Sequence, residues 1–104
     1  MDFLDITTDH LHKAIGNLRY LITHKQSLNP SIIGILREAK GEIDKANDYI
    51  VKSDYPQYKI TCDIEYANQD INFMLIDEFY NNTMLLFEQV KTVNDYFCRK
   101  LLNV

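Results

Sequence analysis

The sequence predicts an all-α protein folded as an antiparallel four-helix bundle. Its 104 residues include only 3 Gly and 2 Pro, fewer turn-forming residues than an all-β domain of this length usually needs. The apolar residues recur at alternating steps of three and four, which places them on one side of a helix. The predicted connections are short, and short connections favour antiparallel neighbours. The length predicts a single domain over residues 1–104.

The first two predicted helices are separated by a turn that contains proline. Helix 1 is predicted over residues 8–25, with Thr8 as its N-cap. Its apolar face consists of Leu11, Ile15, Leu18 and Ile22. Asn29 is a good N-cap for helix 2, and Pro30 suits its first position, where the missing N–H is not needed. Helix 2 has the clearest apolar seam of the chain, formed by Ile32, Leu36, Ala39, Ile43, Ala46 and Ile50.

Helix 3 is predicted over residues 56–80, after a second break at residues 53–56. Its core face consists of Ile60, Ile64, Ala67, Ile71, Leu75 and Phe79. A strand is the alternative for the start of this segment, since strict alternation is the period of a half-buried strand. The alternating residues are Tyr58, Ile60, Cys62, Ile64 and Tyr66. We prefer a helix because the helical face continues for three more turns and no partner strand is evident.

Helix 4 is predicted to begin at Asn82 or Thr83, after a turn at Asn81 and Asn82, and to end near residue 102. Its core face consists of Leu86, Val90, Val93, Phe97 and Leu101. This third break contains neither Gly nor Pro. The alternative is therefore one continuous helix over residues 56–102, which favours a dimeric helical assembly over a closed monomer.

Charge and hydropathy limit the classes of partner. With 15 acidic and 11 basic residues, the net charge is −4, and no basic stripe is available for phosphates. Nucleic acid is therefore not an expected partner. The N-terminus is acidic, unlike a signal peptide, and no apolar stretch is long enough to cross a membrane. We expect a cytoplasmic protein without a membrane partner, with Cys62 and Cys98 as free thiols.

The sequence predicts no cofactor and no metal site. His10 and His12 are two residues apart, so on a helix they point in nearly opposite directions. Two pairs of carboxylates lie one turn apart on helix 2, and we interpret them as a solvated face: Glu38 with Glu42, and Asp44 with Asp48. We find no Gly-rich phosphate loop and no arrangement of an activated nucleophile. The expected class is non-enzymatic.

Arg19 and His24 provide an enzymatic alternative. Their spacing resembles the Arg-x4–6-His motif of HEPN-type ribonucleases, which are also small helical bundles and often dimers. The resemblance covers these two residues only. It implies a metal-independent ribonuclease in which the Arg stabilises the phosphate and the His performs acid–base chemistry on the RNA 2′-hydroxyl.

A second stripe on helix 3 is the feature that predicts a function. Aromatic residues recur there every seven residues, and an acid lies three residues before each of them. The stripe consists of Asp63, Tyr66, Asp70, Phe73, Asp77 and Tyr80. Exposed aromatic rings among charges are typical of protein-binding surfaces. We therefore expect an adaptor, chaperone or inhibitor that docks this face on a partner protein, or self-associates through it. The alternative is that these flank positions pack inside the bundle.

Overall fold

The computed structural model describes residues 3–25, 29–61 and 76–102. Over these ranges it contains three α-helices, α1 (Phe3–Thr23), α2 (Pro30–Val51) and α3 (Ile76–Leu102). One short 3₁₀ turn, Pro56–Tyr58, follows α2. No residue in these ranges belongs to a strand. The predicted all-α class is confirmed, with three helices packed together.

α1 lies between the other two helices and is antiparallel to both. Near its start, Phe3 contacts Phe97 close to the end of α3, with ring centroids 5.6 Å apart. At the other end, Lys25 Nζ lies 3.3 Å from Asp77 Oδ1 at the start of α3. α2 and α3 therefore run in the same direction, and they approach each other much less closely than either approaches α1.

The core follows the predicted apolar faces. Every residue of the predicted α2 seam is buried, from Ile32 to Ile50. On α1, three of the four predicted residues are buried and Ile22 is half-buried. On α3, the buried set includes Phe79, Leu86, Val90, Val93 and Phe97. The three-and-four spacing therefore identified most of the interior of this part of the chain, with Ile22 and Leu101 only half-buried.

The helix boundaries are set by local hydrogen bonds. Asn29 caps α2 as predicted, because its side-chain oxygen accepts from the Ile32 N–H at 3.0 Å. The predicted start of helix 1 was wrong. α1 begins at Phe3, so Thr8 lies inside the helix, where its hydroxyl donates to the Leu4 carbonyl at 2.8 Å.

The predicted start of helix 3 was also wrong. After the 3₁₀ turn, Ile60 and Thr61 are not helical, because side-chain amides replace their helical hydrogen bonds. The Asn47 amide on α2 bonds both the N–H and the carbonyl of Ile60, each at 2.9 Å. The Gln89 amide on α3 accepts from the Thr61 N–H at 2.7 Å and donates to its carbonyl at 3.4 Å. This amide clamp bridges α2 and α3.

The predicted break at Asn81 and Asn82 was wrong as well. α3 runs through both residues without interruption. Thr83 does not cap a helix; its hydroxyl donates to the Phe79 carbonyl one turn earlier, at 2.7 Å. With neither Gly nor Pro at this point, nothing competes with the continuous helix. Continuity between Ile76 and Leu102 agrees with the alternative of a long last helix over that part of its range.

Aromatic rings close one end of the structure. Tyr58 stacks on Tyr96 with centroids 4.1 Å apart, and Tyr55 meets Phe97 edge-on at 6.1 Å. The Lys100 ammonium lies 5.5 Å from the Tyr55 centroid and 5.3 Å from that of Tyr96. A side-chain hydrogen bond with Tyr96 raises the pKa of Tyr58. The turn after α2 is thus held against the end of α3.

The helices do not have the composition of membrane spans. In the described ranges, none combines the length and the apolar content that a bilayer crossing requires.

The amide clamp gives the first prediction. Asn47→Ala removes both partners of Ile60, whose side chain and backbone are buried. We expect the free energy of unfolding to fall by about 1–3 kcal/mol, measured by urea denaturation. The control is Asn81→Ala on the exposed side of α3, which should change it by less than about 0.5 kcal/mol. Equal effects of the two substitutions would contradict the clamp.

Thr7 gives the second prediction. It is fully buried on α1, and its hydroxyl has no hydrogen-bond partner in the described part of the chain. Thr7→Val keeps the shape and removes the unsatisfied group, so the free energy of unfolding should rise by about 1 kcal/mol. Thr92→Val, at an exposed position of α3, is the matched control and should give no comparable gain. A loss of stability on Thr7→Val would show that the hydroxyl is satisfied.

Candidate functional site

The outward side of α3 in its first half carries apolar residues among acids. Leu85 is 69% exposed and Met84 is 41% exposed. The exposed acids on the same side are Asp77, Glu78 and Glu88, with Asn81 between them. We call this set of six residues the α3 outer face. Exposed Lys91 lies one turn beyond Glu88.

Part of the predicted acidic and aromatic stripe can be located. Asp77 is exposed, as a partner-binding residue must be, but Tyr80 is only 6% exposed and belongs to the core. Tyr80 meets Phe79 edge-on at 5.1 Å, and the Lys25 ammonium lies 5.4 Å from its ring centroid. Tyr80 is thus packed within the folded chain, as the alternative of packed flank positions expects.

The other stripe residues lie outside the described ranges. These are Asp63, Tyr66, Asp70 and Phe73. Their role in partner binding stays a prediction. Acidic and apolar side chains also lie together on the α3 outer face, where the apolar side chains are aliphatic rather than aromatic. Met84 and Leu85 are adjacent apolar residues in the sequence. Because helix 4 was predicted to begin at Asn82 or Thr83, they were not expected on the same side of one helix as Asp77.

The ribonuclease-like residues lie near the end of α1. Arg19 is in the helix, and His24 is in the turn that follows it. The Arg19 guanidinium lies 5.8 Å from the Phe87 ring centroid on α3. His24 stacks on Tyr20 with centroids 4.3 Å apart, and its Nδ1 lies 3.0 Å from the Thr23 hydroxyl. Each side chain has its own neighbours, and the ribonuclease alternative stays a prediction.

His10 of α1 and Glu42 of α2 form an ionisable pair between the two helices. His10 Nδ1 lies 2.6 Å from Glu42 Oε2, with side chains that are 18% and 19% exposed. The other carboxylate oxygen, Oε1, lies 3.7 Å from Lys45 Nζ. The hydrogen bond from His10 is the main cause that holds the pKa of Glu42 below its ordinary value. An ionised Glu42 requires a proton on Nδ1, which leaves Nε2 as the second nitrogen of the imidazole.

A groove opens beside this pair. Its volume is about 370 Å³, and its lining residues are His10, Lys45, Asp48, Tyr49 and Lys52. The rings of His10 and Tyr49 are nearly parallel, with centroids 6.3 Å apart. We call this the His10 groove. Lys45 also lines a second depression, between α1 and α2.

The remaining histidine and the described cysteine are residues for which the sequence predicts no metal or catalytic role. His12 Nδ1 lies 2.7 Å from the Thr8 carbonyl, on α1 itself. In the described residues, no three His, Cys, Asp or Glu side chains are grouped as a metal site would need. Cys98 is a free thiol, and burial, followed by the charge of Asp95, raises its pKa. Cys62 lies outside the described ranges.

The His10–Glu42 pair gives a prediction about pH. Because the pKa of Glu42 is lowered by folding, its contribution to stability is present above the ordinary carboxyl pKa of about 4.3 and is lost as pH falls below it. At pH 7, Glu42→Gln should lower the free energy of unfolding by about 1 kcal/mol. This difference from the wild type should shrink below pH of about 4.3.

Glu38→Gln is the control, since exposed Glu38 lies one turn from Glu42 on the same helix. Its difference from the wild type should be small and nearly independent of pH. Denaturation curves measured across the acidic range give all three profiles. If Glu42→Gln and the wild type differed by a constant amount at every pH, the assigned pair would be wrong.

Comparison with known proteins finds no relative. No protein-family model, no curated protein and no solved structure matches this chain. The α3 outer face and the His10 groove are therefore interpreted from their own geometry.

Proposed function

We propose that this protein is a non-enzymatic interaction module, an adaptor, chaperone or inhibitor, that docks on a partner protein through the α3 outer face. The observation that supports the proposal is the exposure of Leu85, at 69%, beside Met84 and among carboxylates. Fully burying a Leu or Met side chain stabilises a complex by about 1.5–3 kcal/mol. A partner that covers both side chains gains this kind of stabilisation, because both remain exposed in the folded chain.

The carboxylates indicate which partner fits. Asp77, Glu78 and Glu88 surround the apolar pair, and such a rim gives specificity and fast association with a surface of opposite charge. The expected partner is a protein that presents an apolar centre within a basic rim. Lys25, just after the end of α1, already lies 3.3 Å from Asp77, and a basic rim on the partner would make contacts of the same kind.

The same charges argue against the other partners. Docking two copies through this face about a twofold axis would bring like carboxylates together, so self-association is disfavoured. A phosphate backbone would meet the same repulsion. A cytoplasmic location and independence of any cofactor or metal are parts of this proposal.

The test compares two exposed apolar positions. Affinity capture from a lysate of the source organism is run with the wild type, Leu85→Glu and the control Val51→Glu, where Val51 is 44% exposed at the end of α2. The wild type and Val51→Glu should capture the same protein, and Leu85→Glu should lose it by about tenfold or more, since the loss of one buried apolar anchor is worth at least 1.4 kcal/mol.

Folding and oligomeric state are checked on the same samples. Glu is a good helix former, so Leu85→Glu should keep the helical circular dichroism of the wild type. Sedimentation should show the wild type and both variants in the same oligomeric state. Retention of every captured protein by Leu85→Glu would overturn the proposal, and so would a Leu85-dependent dimer without any captured partner.

A further inference from the structure

Two tyrosine rings lie face to face where the turn after α2 meets the end of α3. The ring centroids of Tyr58 and Tyr96 are 4.1 Å apart, and the ring planes are inclined by only 24°. Both side chains are half-buried, so small solutes can reach them. Tyr55 also approaches Tyr96, at 6.0 Å, but the planes of these two rings are inclined by 72°. Tyr58 and Tyr96 therefore form a stacked pair, whereas Tyr55 meets the same ring edge-on.

The amide clamp holds the chain just after Tyr58. It bonds the backbone of Ile60 and Thr61, the latter through Gln89 of α3. Gln89 and Tyr96 are seven residues apart, so they lie on the same side of α3. A side-chain hydrogen bond also joins the two tyrosines. The clamp and the stacked rings thus attach one short segment to one side of α3 at two points, which keeps the two phenols together in the folded chain.

The composition favours tyrosine as the residue that a one-electron oxidant attacks. Tryptophan, which loses an electron more easily than tyrosine, is absent from the chain. Cys98 lies two residues after Tyr96, and burial raises the pKa of its thiol. A raised pKa disfavours the thiolate, which is the reactive form of cysteine. The stacked pair is therefore exposed to oxidation with little competition from these groups.

We propose that Tyr58 and Tyr96 are a site of oxidative modification, at which a one-electron oxidant joins the two rings as an intramolecular dityrosine. Each phenol gives one electron to the oxidant and its hydroxyl proton to the solvent, which leaves two neutral phenoxyl radicals side by side. A C–C bond forms between one carbon ortho to the oxygen in each ring. Those carbons then lose their protons and the oxygens regain theirs, so both phenols are restored. The chain has lost one hydrogen atom from each ring, and the oxidant has taken up one electron for each.

The product links the turn after α2 covalently to α3. It closes a loop over residues 58–96, and such a link lowers the conformational entropy of the unfolded chain. Oxidation of the pair therefore stabilises the fold. This modification site shares no residue with the α3 outer face, so this proposal and the proposed function can fail separately.

The test is oxidation of the full chain at low protein concentration, where coupling between molecules is slow. The oxidant is a photoexcited ruthenium complex with persulfate as the electron acceptor. Dityrosine is detected by its blue fluorescence, which tyrosine lacks, in the monomer band of a denaturing gel. After trypsin digestion, mass spectrometry should find peptides 53–59 and 92–99 joined, with the loss of two hydrogen atoms. In concentrated urea the joined peptides should no longer be the preferred product, because the rings are no longer adjacent.

Three variants assign the link to the stacked rings. Tyr58→Phe and Tyr96→Phe keep a ring of the same shape and remove the hydroxyl, so each should lose the intramolecular dityrosine. The control is Tyr55→Phe, on the same tryptic peptide as Tyr58 and also near Tyr96, which should retain it. The oxidised wild type should unfold at a higher urea concentration than the unmodified protein. Oxidised Tyr58→Phe should show no such shift.

The proposal is overturned if the oxidised monomer contains no joined peptides, or if Tyr55→Phe loses the product as Tyr58→Phe does. An unchanged yield of the joined peptides in urea would also overturn it, since the folded geometry would then play no part. Circular dichroism shows whether each variant is folded. If Tyr96→Phe were unfolded, the comparison of Tyr58→Phe with Tyr55→Phe would decide the result.

Discussion

The packing of α1 against two helices is the constraint on which the rest of this structure depends. α2 and α3 hardly meet, so each buries its apolar face against the central helix. α1 contacts both neighbours, and its buried residues are Thr7, Thr8, Leu11, Ala14, Ile15, Leu18 and Leu21.

Polar side chains connect α2 and α3, because these two helices make few direct contacts with each other. A chain segment enters between the two helices, and its backbone polar groups need partners there. Asn47 and Gln89 supply them from opposite sides, each bonding both the N–H and the carbonyl of one residue. The side-chain amides thus pair with backbone N–H and carbonyl groups, as a neighbouring strand does in a sheet. Of the strand-like segment, the structure describes residues 58–61, in which Ile60 and Thr61 belong to neither a helix nor a strand.

The two candidate surfaces differ in the charge that they present. The α3 outer face combines carboxylates with exposed aliphatic side chains, which suits a protein with a basic rim. The His10 groove lies between α1 and α2, and its lining includes two lysines and one aspartate. In the described part of the chain, the core residues that hold the helices together include no residue of the α3 outer face. His10, in contrast, pairs with Glu42 between α1 and α2 and so contributes to the contact of these helices.

The sequence by itself determined the all-α class, the interior residues and the start of α2. These features depend on spacing along one chain: the α2 seam is buried because its residues share one side of a helix, and Asn29 caps because its own side chain reaches Ile32. Where local signals were weak, the sequence misplaced boundaries. Asn81 and Asn82 are predicted to form a turn, but α3 is continuous there. Residues of intermediate helix propensity do not end a helix that is packed along its length.

Only the tertiary structure decided how the functional candidates are assembled. His10 and Glu42 are 32 residues apart, and nothing in the local pattern of either one indicates the other. Tyr80 has the spacing of an exposed stripe, but the folded chain buries it, with Phe79 and Lys25 among its neighbours. The amide clamp likewise joins residues 13 and 28 positions apart. The physical reason is the same in each case: periodicity tells which side of a helix is apolar, whereas burial and pairing of a side chain depend on which helix lies opposite.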